Sequence, residues 1–278
     1  MATTPAISPP QRDDAEVFYP TGDGRPMGET PIHGKNLSTA VETLDRHFAG
    51  DPMVYVSGNM VVYYEKGNRH KHVSPDVFVA MGVHKDKPRD AYFVWEEQHV
   101  PDVVIELTSK STADEDLDDK MSIYQDDMPV REYFLFDPKA EYLDPPLQGY
   151  RMRAGKFVPI EMVAGRLPSE VLELELERDG KWLRFYNPVT RRWLPTKDEL
   201  VAALEAAIEA ERERARIAGE RAEAEQERER TARERAEAER ERLATELRGS
   251  GEELERLRQE LEAWRRRYGE PPDRPPAL

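Results

Sequence analysis

Two stretches decide how this chain is read: Ser74-Pro75-Asp76-Val77-Phe78-Val79-Ala80-Met81 and, about thirty residues on, Pro101-Asp102-Val103-Val104-Ile105-Glu106-Leu107. Both are short, rich in β-branched residues and opened by proline, which favours an extended backbone before it. Both read as strands, and the second is apolar enough to lie in the middle of a sheet. Each also carries a carboxylate, Asp76 at the start of one and Glu106 inside the other. A carboxylate among Val103, Val104, Ile105 and Leu107 costs several kcal/mol, roughly, unless it is paired or coordinated. Asp76 read as a turn or cap residue, and Glu106 turned to solvent on a half-exposed sheet, are the structural alternatives. Two carboxylates on neighbouring strands otherwise form a seat for a hard divalent cation such as Mg²⁺ or Mn²⁺.

The surrounding chain fills in a mixed α/β domain. Val41, Leu44 and Phe48 recur at helical spacing, with Asn36 or Ser38 as the expected cap. Residues 53–56 and 60–64 read as strands joined by a hairpin turn at Ser57-Gly58-Asn59, and residues 91–95 as a further short strand. After Leu107, residues 111–127 have the pattern of an amphipathic helix, with Leu117, Lys120, Met121 and Tyr124 on one side. The strand 132–136 follows, so strand, helix and strand predict a right-handed parallel crossover. Further strands are expected at 149–152, 156–159, 172–176 and 182–185.

From about Lys197 the composition changes to Glu, Arg and Ala, read as a long charge-laced helix. Leu243, Leu247, Leu254, Leu257, Leu261, Trp264 and Tyr268 fall on successive seam positions of one heptad register, broken at Ser250. The same register upstream meets Arg212, Gly219 and Glu229, a poor seam. The expectation is a coiled coil at the C-terminal end that makes a homo-oligomer, with Gly249-Ser250-Gly251 as a hinge. The expected organisation is an extended arm over 1–36, a core domain over 37–198, the charged helix over 199–268 and a Pro-rich tail over 269–278.

Bulk composition narrows the function classes. A net charge of -15 in 278 residues disfavours a protein that coats nucleic acid without specificity. Glu and Arg nearly cancel in the helical tract, so the acidic excess belongs to the preceding domain. There is no cysteine, which removes disulfides and thiolate metal sites. The six histidines, at 33, 47, 70, 72, 84 and 99, show no zinc-binding spacing. No apolar run has the length of a leader core or a membrane span, which predicts a cytoplasmic protein without a membrane partner. Gly-rich phosphate loops, Gly-x-Ser-x-Gly elbows and dinucleotide fingerprints are absent from the sequence.

Lys120 reads by default as a surface lysine. A helix that packs back after the central strand would instead deliver it to that strand's end, where an ammonium can orient water or offset developing negative charge. Asp102 shares the parity of Glu106 and is either a partner in the site or a strand-start residue. Arg69, His70, Lys71 and His72 form a small basic loop just before Asp76, read as a solvated loop, with a phosphate contact as the alternative.

Taken jointly, the Ser74–Val79 string, the run from Pro101 to Thr112, then Asp116, Lys120, Tyr124 and Val130-Arg131-Glu132-Tyr133-Phe134-Leu135-Phe136-Asp137-Pro138 resemble the Uma family of restriction endonucleases, within the PD-(D/E)XK nuclease superfamily. The arm from Tyr19 to Thr30 resembles that of a bacterial subgroup. The resemblance implies a restriction-endonuclease-like mixed β-sheet core flanked by helices, acting as a Mg²⁺- or Mn²⁺-dependent endonuclease on DNA. It implies Asp76 and Glu106 as metal ligands. The superfamily lysine, two residues beyond the strand's acid, is Thr108 here, and Lys120 is the expected substitute. Glu42 on the first helix is a further acidic candidate. The rival expectation is an inactive nuclease-fold module that assembles through its coiled coil, and a third is a nuclease directed at RNA or at particular nucleic-acid structures.

Overall fold

The computed structural model describes residues 18–20, 30–108 and 119–269. The chain divides into two compact units, Met1–Ala202 and Ala203–Leu278. In the first, helix α1 (Pro31–His47) precedes β1 (Val54–Ser57), β2 (Val62–Tyr63), β3 (His72–Val73), β4 (Val77–Met81) and β5 (Tyr92–Phe93). A single helical turn, α2 (Val94–Glu97), leads to β6 (Val103–Leu107); α3 (Lys120–Ser122) runs on into a π-helical turn, Ile123–Asp127. Then come β7 (Glu132–Phe136), β8 (Leu147–Arg153), β9 (Lys156–Pro159), β10 (Arg166–Ser169), β11 (Leu174–Asp179), β12 (Trp182–Asn187) and β13 (Arg192–Trp193).

The main sheet has six strands in the order β1-β4-β6-β7-β8-β9. The apolar run of β6 sits inside it, antiparallel to β4 and parallel to β7, as its composition predicts. All five residues of β6, and all five of β7, are buried. Alternation divides these strands between two cores. Val77, Val79, Val103, Ile105 and Leu107 face α1, through Ala40 and Leu44, and the β10–β12 side chains Leu167, Leu176 and Phe185. Phe78, Ala80, Val104, Tyr133 and Leu135 face the other way, toward Tyr92, Tyr124, Met128 and Val130. Each fully buried aliphatic or Phe side chain here contributes about 1.5–3 kcal/mol, so the sheet is held rigidly from both sides.

Three local expectations change. Helix α1 starts at Pro31, not near Ser38: Thr30 Oγ1 caps it by accepting from His33 N at 3.3 Å, and proline suits the first helical position. Asn36 is instead buried, its Nδ2 donating to Lys181 O at 3.0 Å and its Oδ1 accepting from Leu183 N at 2.9 Å, which ties the helix to β12. Second, β1 and β2 are not a hairpin. The turn at residues 57–59 sends the chain into a separate sheet, β3-β2-β5, while β1 pairs with β4. Third, Val94 and Trp95, expected to continue the strand, open α2 instead.

Helix α4, Lys197–Tyr268, makes up the described part of the second unit from Ala203 on, and residues 249–251 remain helical where a hinge was expected. Two glycines there cost about 1 kcal/mol each against alanine, too little to break a helix of this length. No helix among the described residues is long and apolar enough to cross a membrane.

Candidate active site

The register of two antiparallel strands builds the site. Val77 lies opposite Ile105, so one step back along β4 and one step on along β6 Asp76 stands opposite Glu106. Both side chains leave the sheet on the same face. Asp76 Oδ2 accepts from Leu107 N at 2.7 Å, and Asp76 N donates to Glu106 Oε2 at 3.4 Å. The carboxylate of Asp76 is thus anchored on the strand that carries Glu106.

The backbone of Asp76 is fixed from behind by the residue 57–59 turn. Asn59 N donates to both Pro75 O and Asp76 O, at 3.1 and 3.2 Å. Gly58 is required for this approach, because a Cβ there would lie 2.4 Å from Asp76 O and 2.8 Å from Val41 Cγ2. Asn59 itself takes a positive φ of 51°, a conformation asparagine tolerates well.

Glu106 is fully buried, and its two oxygens are held by residues one helical turn apart. Lys120 Nζ donates to Oε2 at 2.9 Å and Tyr124 Oη to Oε1 at 2.7 Å. The i,i+4 spacing puts both on one side of the helical segment, which closes through its π-helical turn against Met128. Burial foremost, and the Glu106 carboxylate next, keep the Tyr124 phenol protonated far above its ordinary range. Across the site, His33 Nε2 in the first turn of α1 lies 3.2 Å from Asp76 Oδ1. Asp76, Glu106 and Lys120 therefore meet, joined by His33 and Tyr124. Tyr124 carried a signal in the sequence, its spacing from Lys120. His33 carried none, since only packing of α1 on the sheet brings it there.

Other acidic candidates lie elsewhere. Asp102 is at the far end of β6, where its carboxylate accepts from Met81 N and meets His99 Nε2, both at 2.7 Å. That is a lock on the β4–β6 pairing. Glu42 is exposed and pairs with Lys197 at 3.5 Å. Asp116, with the start of the helix expected over residues 111–127, falls outside the described residues. Thr108, two residues past Glu106, is buried, its hydroxyl without a hydrogen-bond partner among the described residues; the ammonium at Glu106 comes from Lys120.

The donor set suits a hard ion. Two carboxylates with hard oxygens match Mg²⁺ or Mn²⁺, which take one or two carboxylates and complete their shell with water and substrate oxygens. Among the described residues no group of three or more His, Cys, Asp or Glu side chains is arranged to hold a metal, so neither a zinc site nor an all-protein calcium cage is formed by them.

The chain belongs to the Uma2 family, described as "Putative restriction endonuclease", whose profile matches residues 8–179. The match takes in His33, Asp76, Glu106, Lys120 and Tyr124. Among solved structures the chain is similar to "a putative nuclease belonging to DUF820" from Anabaena variabilis ATCC 29413, at 13% identity and a TM-score of 0.41, covering 54% of this chain and 79% of that one. No curated protein matches the sequence.

Proposed function

We propose that this protein is a metal-dependent endonuclease that hydrolyses DNA phosphodiester bonds, with Asp76 and Glu106 holding Mg²⁺ or Mn²⁺. The observation that carries the reading is the pairing of Asp76 opposite Glu106, with the Lys120 ammonium on Glu106, within a family of nuclease description. Bound there, the ion supplies a Lewis acid that polarises a phosphoryl oxygen and acidifies the attacking water. The chain's own groups do the rest. Leu107 N and Tyr124 Oη each fix one carboxylate oxygen, so the pair is oriented before substrate arrives. Lys120, with 17% of its side chain exposed, is placed to hold the attacking water or offset charge on the phosphorane. The test is cleavage of supercoiled, linear and single-stranded DNA with Mg²⁺ or Mn²⁺. Wild type is expected to cleave at least one form, and Asp76→Ala, Glu106→Ala and Lys120→Ala to lose it; wild type inert on every form would refute the reading.

A second reading rests on α4. Leu243, Leu247, Leu254, Leu257, Leu261, Trp264 and Tyr268 are all 46% or more exposed along one heptad seam. This supports self-association through the C-terminal helix. Sedimentation equilibrium should find an oligomer for the full chain and a monomer for Leu254→Glu/Leu261→Glu; a monomeric wild type removes this reading.

A further inference from the structure

An acidic protein that cuts a polyanion needs somewhere to receive it, and the turn between β2 and β3 has the required chemistry. From Lys66 to Pro75 the chain has Lys66, Arg69, Lys71, His70 and His72 and no acidic residue. Lys66, Arg69 and His70 are exposed, and neither Lys66 nor Arg69 lies within ion-pair distance of a carboxylate among the described residues. Lys71 is the exception, paired with Asp127 at 2.9 Å.

The tip is also built. Asn68 Oδ1 accepts from His70 N at 3.1 Å, Arg69 O meets His72 Nδ1 at 2.9 Å, and Gly67 N donates to Tyr19 Oη at 2.7 Å. Glu65, the flanking acid, is turned to accept from Asn68 Nδ2 at 3.2 Å. A turn held this way loses little entropy when its cations are engaged.

Its position relative to Asp76 and Glu106 is bounded from two sides. Seven residue steps separate Arg69 from Asp76 and ten separate Lys66 from it, so their backbones lie at most about 25 and 36 Å away. On the other side, the Asp127 that Lys71 grips is three residues beyond Tyr124, whose hydroxyl is on Glu106. A DNA strand carries one charge per about 3.4 Å of helix axis, so a phosphate at the acidic pair sets others within reach of this tip.

We propose that the β2–β3 tip, through Lys66 and Arg69, is the surface that receives the DNA phosphate backbone beside the site; this rests on the endonuclease reading. The experiment is binding of a fluorescent DNA duplex to the full-length protein over a range of salt, with Ca²⁺ in place of Mg²⁺ to prevent cleavage. Lys66→Gln/Arg69→Gln should bind more weakly, with the slope of log affinity against log salt shallower by about 1.8, from about 0.9 per lost phosphate contact. Arg191→Gln/Arg192→Gln, a charge-matched change at exposed residues at the start of β13, should keep the wild-type slope. Equal slopes for wild type and Lys66→Gln/Arg69→Gln, or equal loss in both double variants, would overturn this inference alone. A wild type that binds no DNA, or binds only an RNA duplex, would overturn the endonuclease reading and this with it.

Discussion

Tyr124 donates its hydroxyl hydrogen to Glu106 Oε1 at 2.7 Å, from a position with no solvent exposure, while Lys120 one turn earlier takes Oε2 at 2.9 Å. The phenol is a neutral donor that fixes the rotation of a carboxylate, leaving the ammonium to balance its charge. Removing the phenol hydroxyl takes one hydrogen bond from Oε1 without removing the ring. Groups that orient a metal-ligating side chain typically govern affinity by 10–100-fold. Tyr124→Phe is therefore expected to weaken Mn²⁺ binding by about that factor and to lower stability by about 1–3 kcal/mol. Isothermal titration and urea unfolding read the two effects separately.

Gly58 makes a second prediction, because its Cα hydrogen faces Asp76 O. Gly58→Ala puts a methyl 2.4 Å from that oxygen, and neither the β4 backbone nor Val41 is a flexible neighbour. The expected loss is about 1–3 kcal/mol in urea unfolding, as for other overpacked sites. Cleavage should fall with it, since the displaced atom belongs to Asp76. Unchanged stability would mean the turn relaxes without moving Asp76.

The pH dependence follows from Tyr124 and Tyr92, whose phenols are both pushed above the ordinary value of 10.0, foremost by burial. A raised value means the folded state holds the proton more tightly than the unfolded chain. That contribution is complete below pH 10 and is lost as pH rises beyond it. Urea midpoints should therefore fall as pH rises above about 10, and fall less steeply in Tyr124→Phe. Parallel slopes would show that Tyr124 is not buried as described.

A fourth prediction concerns the seam between the two larger sheets. Glu132 on β7 is buried, and accepts from Arg151 Nε and Glu170 N, each at 2.8 Å, and from the Ser169 hydroxyl. Arg151→Ala would strand a buried charge, with an expected loss of about 3–5 kcal/mol. Thermal unfolding of the variant, compared with Arg153→Ala at the exposed Glu170 pair, isolates the buried term.

Much of this arrangement was legible in the residues. Val103, Val104, Ile105 and Leu107 announced a central strand because apolar side chains on both faces leave neither for water. Its pairing with the Asp76 strand could be anticipated as adjacency, and Lys120 and Tyr124 share a face by helical spacing alone. What was not legible depended on tertiary partners. The two β-branched and aromatic runs within residues 53–64 read the same whether the strands pair with each other or leave for different sheets. Asn36 has the chemistry of a cap and is used instead as a bridge to β12. His33 reaches Asp76 only because α1 begins about two turns earlier than its apolar stripe suggests. Gly58 looked like an ordinary turn glycine, and its close approach to Asp76 has no local signature.

The claim that Asp76 and Glu106 together hold one divalent ion is tested most directly by titrating Mn²⁺ into the full-length protein and following free Mn²⁺ by electron paramagnetic resonance. The account predicts one tight site per chain in wild type, lost in both Asp76→Ala and Glu106→Ala while each variant still unfolds cooperatively. A wild type that takes up no ion, or either variant binding as wild type does, would contradict it.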